Sequence, residues 1–269
     1  FFIKTDDQGR GTKQSEGTIK CFRLATSTVF LANFQQGSTS KPELVNSVFI
    51  NKAMSTFSKR IIICGTDTDV GKTIVSSFLV QGLKGIYWKP IQSGTEEGTD
   101  TKTVCNLLSL EPNSYLPERY KFKAPVSPHW AAEQESAFIE PSNLKLPDLD
   151  ELIIIETAGG LMVPLNRDWL QIDQLKAWGA PIILVARTGL GTLNHTLLSL
   201  EALKHRNLDV LGIILNGPPH KDNPKTLEQY GDTKILASLP IFDEVNAKVL
   251  SQEWHKQQLD QKLKRYIQN

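Results

Sequence analysis

The sequence has no close cysteine pair, no apolar run long enough to cross a membrane and no marked excess of charge of either sign. Its three cysteines, Cys21, Cys64 and Cys105, are scattered and odd in number. That excludes a disulfide scaffold and a structural zinc cluster, and it predicts a reducing, cytoplasmic setting. The longest apolar stretches, such as 182–186, have strand length, against the ~18 residues of a spanning helix. A formal net charge of +1 supplies no global attraction to nucleic acid or to an anionic membrane surface, and neither is expected as a partner. Internal repeats and low-complexity tracts are missing too.

What is present is a chain of 269 residues with 40% hydrophobic and 22% charged side chains, enough for one large core. Residues 1–53 differ from the rest. They hold seven Lys/Arg against four Asp/Glu, many hydroxyl and amide side chains, and no sustained apolar periodicity. The first methionine is Met54. Segment 1–53 reads first as a disordered or upstream-translated extension, then as part of a basic, hydroxyl-rich targeting segment, and last as a small folded module. The regular domain is expected over 54–269.

From Lys59 onward, short apolar runs alternate with helical patterns. Strands are predicted at 61–64, 86–90, 152–156, 181–187, 210–216 and 235–239, and helices near 72–83, 101–109, 171–178, 194–206 and 224–230. Several strands are unbroken Ile/Leu/Val runs, as expected for strands covered on both faces. The alternation predicts an α/β fold of the P-loop NTPase type. Its central sheet should be mostly parallel, with six or seven strands, right-handed crossovers and helices on both faces. At the end of the chain, Val249, Trp254, Leu259, Leu263 and Ile267 recur at roughly helical spacing and predict an amphipathic helix over 245–267.

The segment Gly65-Thr66-Asp67-Thr68-Asp69-Val70-Gly71-Lys72-Thr73 follows the first strand and opens a helix, which is the context of a phosphate-binding loop. Backbone N–H groups at a helix N-terminus point at an anion, and the helix dipole favours it there. Residues Asp67 to Thr73 are therefore expected to cradle ATP. Gly71 lets the backbone approach the phosphates without a Cβ. Lys72 sets a compact charge between the β- and γ-phosphates, and the Thr73 hydroxyl can ligate Mg²⁺. Five residues separate the two glycines, where the common pattern has four.

Lys89 ends the second predicted strand. Ligands of parallel α/β sheets bind beyond the carboxyl ends of the strands, so Lys89 is aimed at the same crevice as Lys72; its plain alternative is a solvated surface lysine. Asp100 and Glu156 would complete, with Thr73, an oxygen set for Mg²⁺. Asp100 reads equally as a helix cap. Glu156 follows four apolar residues on a strand, where a carboxylate is costly to bury unless paired or metal-bound.

Taken in order, these segments resemble the dethiobiotin synthetase family. Its phosphate loop is Gly-Thr-Asp-Thr-acidic-Val-Gly-Lys-Thr, carried here at 65–73, so the long spacing is the family's own. Lys89-Pro90 with Ser93-Gly94 resembles its Lys-Pro-x-x-Ser-Gly. Pro125-Val126-Ser127-Pro128-His129 with Ala131-Ala132, Glu156-Thr157-Ala158-Gly159-Gly160 with Pro164-Leu165, Leu190-Gly191 with Asn194-His195, and Gly212 with Asn216 are similar to further family segments. The likeness spans about 60–243. Thr157 departs from it, since the family usually has Gly there.

The resemblance implies an ATP-dependent ligase that closes 7,8-diaminononanoate and CO₂ into dethiobiotin with ATP and Mg²⁺, through a carbamate and a carbamic–phosphoric anhydride. Lys72, Lys89, Thr68 and Ser93 would be catalytic, and Asn216 would read the adenine edge. Asp69, Lys89, Ser93 and Asn194 would bind the diamine, with Asn194 serving the site of a homodimeric partner. His195 and His129 are expected to have structural roles.

The main rival is a partitioning-type ATPase switch that positions partners on a membrane or nucleoid. Such proteins carry a signature lysine five residues before the loop lysine, and that position is Asp67 here. Their membrane-targeting forms end in a basic amphipathic helix, a mild version of which 245–267 offers. A cobyrinate-type amidase would need a further glutaminase domain after Asp243. A degenerate binding protein would not be expected to keep Lys72, Thr73, Lys89, Asp100 and Glu156 together.

Overall fold

The computed structural model describes residues 59–267; the expectations for 1–53, and Cys21 with them, lie outside the described residues. In chain order the elements are β1 (Arg60–Gly65), α1 (Lys72–Leu83), β2 (Ile86–Trp88), β3 (Ile91–Ser93), α2 (Asp100–Leu108), β4 (Tyr115–Leu116), β5 (Tyr120–Phe122) and α3 (Pro128–Gln134). Then follow β6 (Ile153–Gly160), α4 (Gln171–Trp178), β7 (Ile182–Arg187), α5 (Thr192–His205), β8 (Val210–Asn216), α6 (Asn223–Gly231), β9 (Ile235–Leu239), α7 (Ala247–Gln257) and α8 (Leu259–Ile267).

Seven strands form one sheet in the order β4-β2-β6-β1-β7-β8-β9, and their pairings are parallel. Alternate residues of each strand feed opposite faces. Ile61 and Ile63 of β1 pack with Phe78 and Leu79 of α1, Val104 of α2, Trp254 of α7 and Leu263 of α8. Ile62 and Cys64 pack with Ala131 of α3, Leu175 of α4, Leu203 of α5 and Leu227 of α6. Burial pushes the Cys64 thiol up to about 12, so it acts as a packing group.

The sheet sets the site through its strand order. From β1 the chain crosses to β2 on one side, while β6 and β7 flank β1 directly. Chain paths diverge at β1, and a crevice opens beyond its carboxyl end. A second sheet, the parallel pair β3-β5, begins where Lys89-Pro90 interrupts the strand predicted over 86–90. Lys89 thus stands in the break between two sheets.

Three other features differ from the sequence-based expectation. The edge strand β4 has two residues and α3 has seven, too short to give a periodic signal. The helix expected over 245–267 is two helices, broken at Gln258 in the left-handed region with φ 53°. The break lets Leu250, Trp254, Leu259 and Leu263 all reach the core. Trp254 seats its ring edge-on to Phe78 at 5.2 Å and fills the space above Gly82, where a Cβ would lie 2.2 Å from the ring.

Candidate active site

The phosphate loop joins β1 to α1. Gly71 has φ 95°, a conformation that a residue with a Cβ rarely adopts. No side chain caps α1, so the amides of its first turn remain for an anion. Asp67, Thr68 and Asp69 are exposed on the loop and Val70 is buried beneath it. Asn216, at the end of β8, donates from Nδ2 to the Val70 carbonyl at 3.1 Å. This residue, expected to read adenine, also props the loop.

Lys72 is buried and donates to the Asp67 carbonyl at 2.8 Å, folding back over the loop. Burial, opposed by the Glu156 charge and aided by the Lys89 charge, lowers its pKa. The lysine is therefore a poorly solvated cation without a paired carboxylate among the described residues, placed where phosphate oxygens would relieve it.

The predicted metal residues meet at one point. Thr73 Oγ1 lies 2.8 Å from Asp100 Oδ1 and 2.9 Å from Glu156 Oε1. A hydroxyl carries one hydrogen, so one of the two contacts leaves oxygen facing oxygen. A divalent cation among three oxygen donors removes that conflict, and the set suits Mg²⁺, which takes a few carboxylates and completes its shell with water and phosphate. Among the described residues no group of three or more His, Cys, Asp and Glu gathers for a metal; Thr73, Asp100 and Glu156 are the residues that could hold one.

Lys89 closes the cluster. Its Nζ pairs with Asp100 Oδ2 and lies 3.2 Å from Glu156 Oε1, so it is not a solvated surface lysine. Burial would lower its pKa, but the Glu156 and Asp100 charges and their hydrogen bonds hold it above the ordinary lysine value. For Asp100, burial acts upward, and the Lys89 charge with hydrogen bonds from Lys89 and Thr73 outweighs it and lowers the pKa. Asp100 is the first residue of α2 and not its cap: Thr99 caps the helix, accepting from the Lys102 amide at 3.1 Å.

Two contributors escaped the sequence reading. Gln92 Oε1 accepts from the Asp100 amide at 3.0 Å and fixes the start of α2. Tyr87 is fully buried and donates from its hydroxyl to Glu156 Oε2 at 3.0 Å. Burial first, then the Glu156 charge, raise its pKa well above the ordinary phenol value. The available signal was adjacency: Tyr87 lies two residues before Lys89 in the segment already singled out.

Other expected residues lie apart from the metal point. Among the described residues Ser93 Oγ is buried with no hydrogen-bond partner. His129 has a buried, unpartnered Nδ1, while its amide donates to the Pro164 carbonyl at 3.3 Å. Asn194 sits exposed in the first turn of α5, and no hydrogen bond joins it to the cluster. Beside it Arg187, at the end of β7, places Nη2 3.4 Å from His195 Nδ1 and 4.0 Å from Asp67 Oδ2. Between the loop and α5 lies a cavity of about 260 Å³, lined by Thr66, Asp67, Gly160, Met162, Leu198 and Ala202 among others. Thr157 lies within β6 and outside the positive-φ residues, which include Gly159 at 65°. The backbone after Glu156 therefore does not require the usual family glycine.

Residues 59–249 match the family model of the AAA domain. An ATP-dependent dethiobiotin synthetase from Rhodopseudomonas palustris (strain BisA53) is 45% identical over 183 residues, which cover 68% of this chain and 86% of that one. The ATP-dependent dethiobiotin synthetase of Agrobacterium fabrum is 44% identical over 195 residues, 72% of this chain and 92% of its own. A plasmid partition protein from Borrelia burgdorferi bound to AMPPNP aligns over 77% of this chain at 11% identity with a TM-score of 0.49, too low to bear on function.

Proposed function

This chain belongs to the ATP-dependent dethiobiotin synthetase family, and we propose that Lys72, Lys89, Thr73, Asp100 and Glu156 form the centre that carries its ring closure. The activity is that of an ATP-dependent dethiobiotin synthetase, a ligase of biotin biosynthesis; the substrates that the family resemblance implies are 7,8-diaminononanoate and CO₂. One amine and CO₂ give a carbamate with loss of a proton. A carbamate oxygen attacks the γ-phosphorus, and the bond to ADP breaks, leaving a carbamic–phosphoric anhydride. The second amine attacks the carbamoyl carbon, loses its proton and expels phosphate.

Two anions must meet in the second step, so the chain's own cations decide it. Lys72 and Lys89 neutralise the phosphate and carbamate oxygens, and Thr68 and Ser93 donate hydrogen bonds to them. The unpartnered Ser93 hydroxyl supports its part. Mg²⁺ held by Thr73, Asp100 and Glu156 would supply shielding of phosphate charge. Asp69 attracts an ammonium of the diamine, whose aliphatic chain suits the cavity beside the loop. Asn216 keeps its side-chain carbonyl for the adenine edge while its amide props the loop.

The role of Asn194 requires a homodimer. That residue is exposed between Leu190 and Leu198, two of the large exposed apolar side chains of the described residues, a surface suited to a second copy. Mixing Asn194→Ala with Lys72→Gln chains should restore activity in heterodimers if Asn194 serves the neighbouring site; no restoration removes it from that role. Two unpaired thiols, Cys64 and Cys105, support a reducing cytoplasmic setting. Residues 1–53 are assigned as an extension outside the catalytic domain, and a chain starting at Met54 should keep its rate.

The observation that carries the assignment is the convergence of Lys89, Asp100, Glu156 and Thr73, with Lys72 near enough to interact with the charges of Glu156, Lys89 and Asp100. The test incubates the full chain with MgATP, bicarbonate and 7,8-diaminononanoate and reads dethiobiotin by mass spectrometry. Product that needs all three inputs is expected. Folded, ATP-binding protein without product would keep the nucleotide site and remove the substrate.

A further inference from the structure

We propose that Tyr87 is a positioning residue for Glu156, pinning one carboxylate oxygen so that the other faces the cation point shared with Thr73 and Asp100. The inference rests on the Mg²⁺ reading above.

Glu156 Oε2 accepts from the Tyr87 hydroxyl at 3.0 Å. Its Oε1 is 2.9 Å from Thr73 Oγ1 and 3.2 Å from Lys89 Nζ. The two oxygens of one carboxylate are thus divided between a fixed donor and the reactive cluster. Glutamate has three side-chain torsions, and Lys89 alone would let the group swing toward a two-oxygen ion pair. A protonated phenol on the far side opposes that swing.

The phenol is well suited to be the fixed point. Tyr87 is fully buried, and on the strand it stands between Ile154 of β6 and Tyr115 of β4. Its ring moves about two torsions only, within a close-packed core. Burying its hydroxyl without an acceptor would cost free energy, so the bond to Glu156 satisfies both partners. A tyrosine serving stability alone would need any acceptor. This one takes the single Glu156 oxygen that turns away from Thr73, and groups in that relation to a metal ligand typically change metal affinity 10–100-fold when removed.

The test uses the full chain with a non-hydrolysable ATP analogue and follows Mn²⁺ binding by electron paramagnetic resonance. Tyr87→Phe should weaken Mn²⁺ binding by about tenfold and leave nucleotide affinity without divalent cation unchanged. The Mg²⁺ concentration for half-maximal rate should rise in parallel, with kcat recovered at excess Mg²⁺. Unchanged Mn²⁺ affinity in Tyr87→Phe, while Glu156→Gln loses Mn²⁺, overturns the role of Tyr87 and leaves the metal reading standing. Unchanged affinity in both variants overturns both. If Tyr87→Phe does not fold, fluorotyrosine in the unsubstituted protein gives one fluorine resonance for each of its five tyrosines. The resonance that survives Phe at 115, 120, 230 and 266 should move as Mg²⁺ is added, and one that ignores the metal overturns the inference.

Discussion

Asn216 and Gly71 are packed directly against each other: a Cβ built on Gly71 would fall 2.0 Å from the Asn216 amide nitrogen, which itself holds the Val70 carbonyl. The loop glycine is needed for its positive φ and for this contact together. Gly71→Ala is expected to weaken ATP binding at least about tenfold, ~1.4 kcal/mol, read by isothermal titration calorimetry. If Gly71→Ala costs less in an Asn216→Ala background than in the unsubstituted protein, the clash is its cause; if it costs the same, the backbone conformation is.

The two lysines should separate by stability. Lys72→Gln and Lys89→Gln should each lower the ligase rate at least about tenfold, ~1.4 kcal/mol in the barrier. Lys89 also lies between two carboxylates, one of them fully buried. Leaving buried charge unpaired costs about 3–5 kcal/mol. Urea unfolding in metal-free buffer should therefore show Lys89→Gln well below the unsubstituted protein, and Lys72→Gln close to it. A near-normal rate in either variant removes that lysine from its assigned role.

The same pair sets a pH dependence. Asp100 has a lowered pKa in the folded chain, so its contribution is present above the unfolded value of about 3.9 and is lost as pH falls through the folded value. Lys89 has a raised pKa, so its contribution is complete below the unfolded value of about 10.4 and is lost as pH rises through the folded value. The stability gap between the unsubstituted protein and Lys89→Gln should be flat between these limits and shrink in acid. Urea midpoints across pH check this, and a gap that widens in acid contradicts the pairing.

The C-terminal helices should behave as core and not as a membrane anchor. Trp254 is 5% exposed and packs on Phe78 of α1. Trp254→Ala is expected to cost about 3–5 kcal/mol by urea unfolding. Gly82→Ala should also destabilise, because its Cβ would enter the Trp254 ring. With ATP and anionic liposomes the chain should stay in the supernatant on co-sedimentation. Sedimentation with the liposomes would revive a membrane role for this segment.

Local sequence determined the framework of the fold. Unbroken apolar runs at β1, β6 and β7 marked strands covered on both faces, because that burial leaves no polar face to show. The loop 65–73 was legible for the same reason of locality: strand, glycine, lysine and hydroxyl act within nine residues of one another. Lys89, Asp100 and Glu156 were visible as charges at strand or helix ends, and their segments matched a family pattern. Tertiary structure decided what those charges meet. Thr73 reaches Glu156 across 83 positions, Tyr87 reaches the same carboxylate across 69 and Asn216 props Val70 across 146. No periodicity within a window of one element encodes such contacts. The break at Gln258, the two-residue β4 and the β3-β5 pair also arise from packing, since each is too short or too irregular to repeat. Residue types and their local order set which chemistry was available, and the strand order, by placing β6 and β7 on either side of β1, brought the side chains to one point.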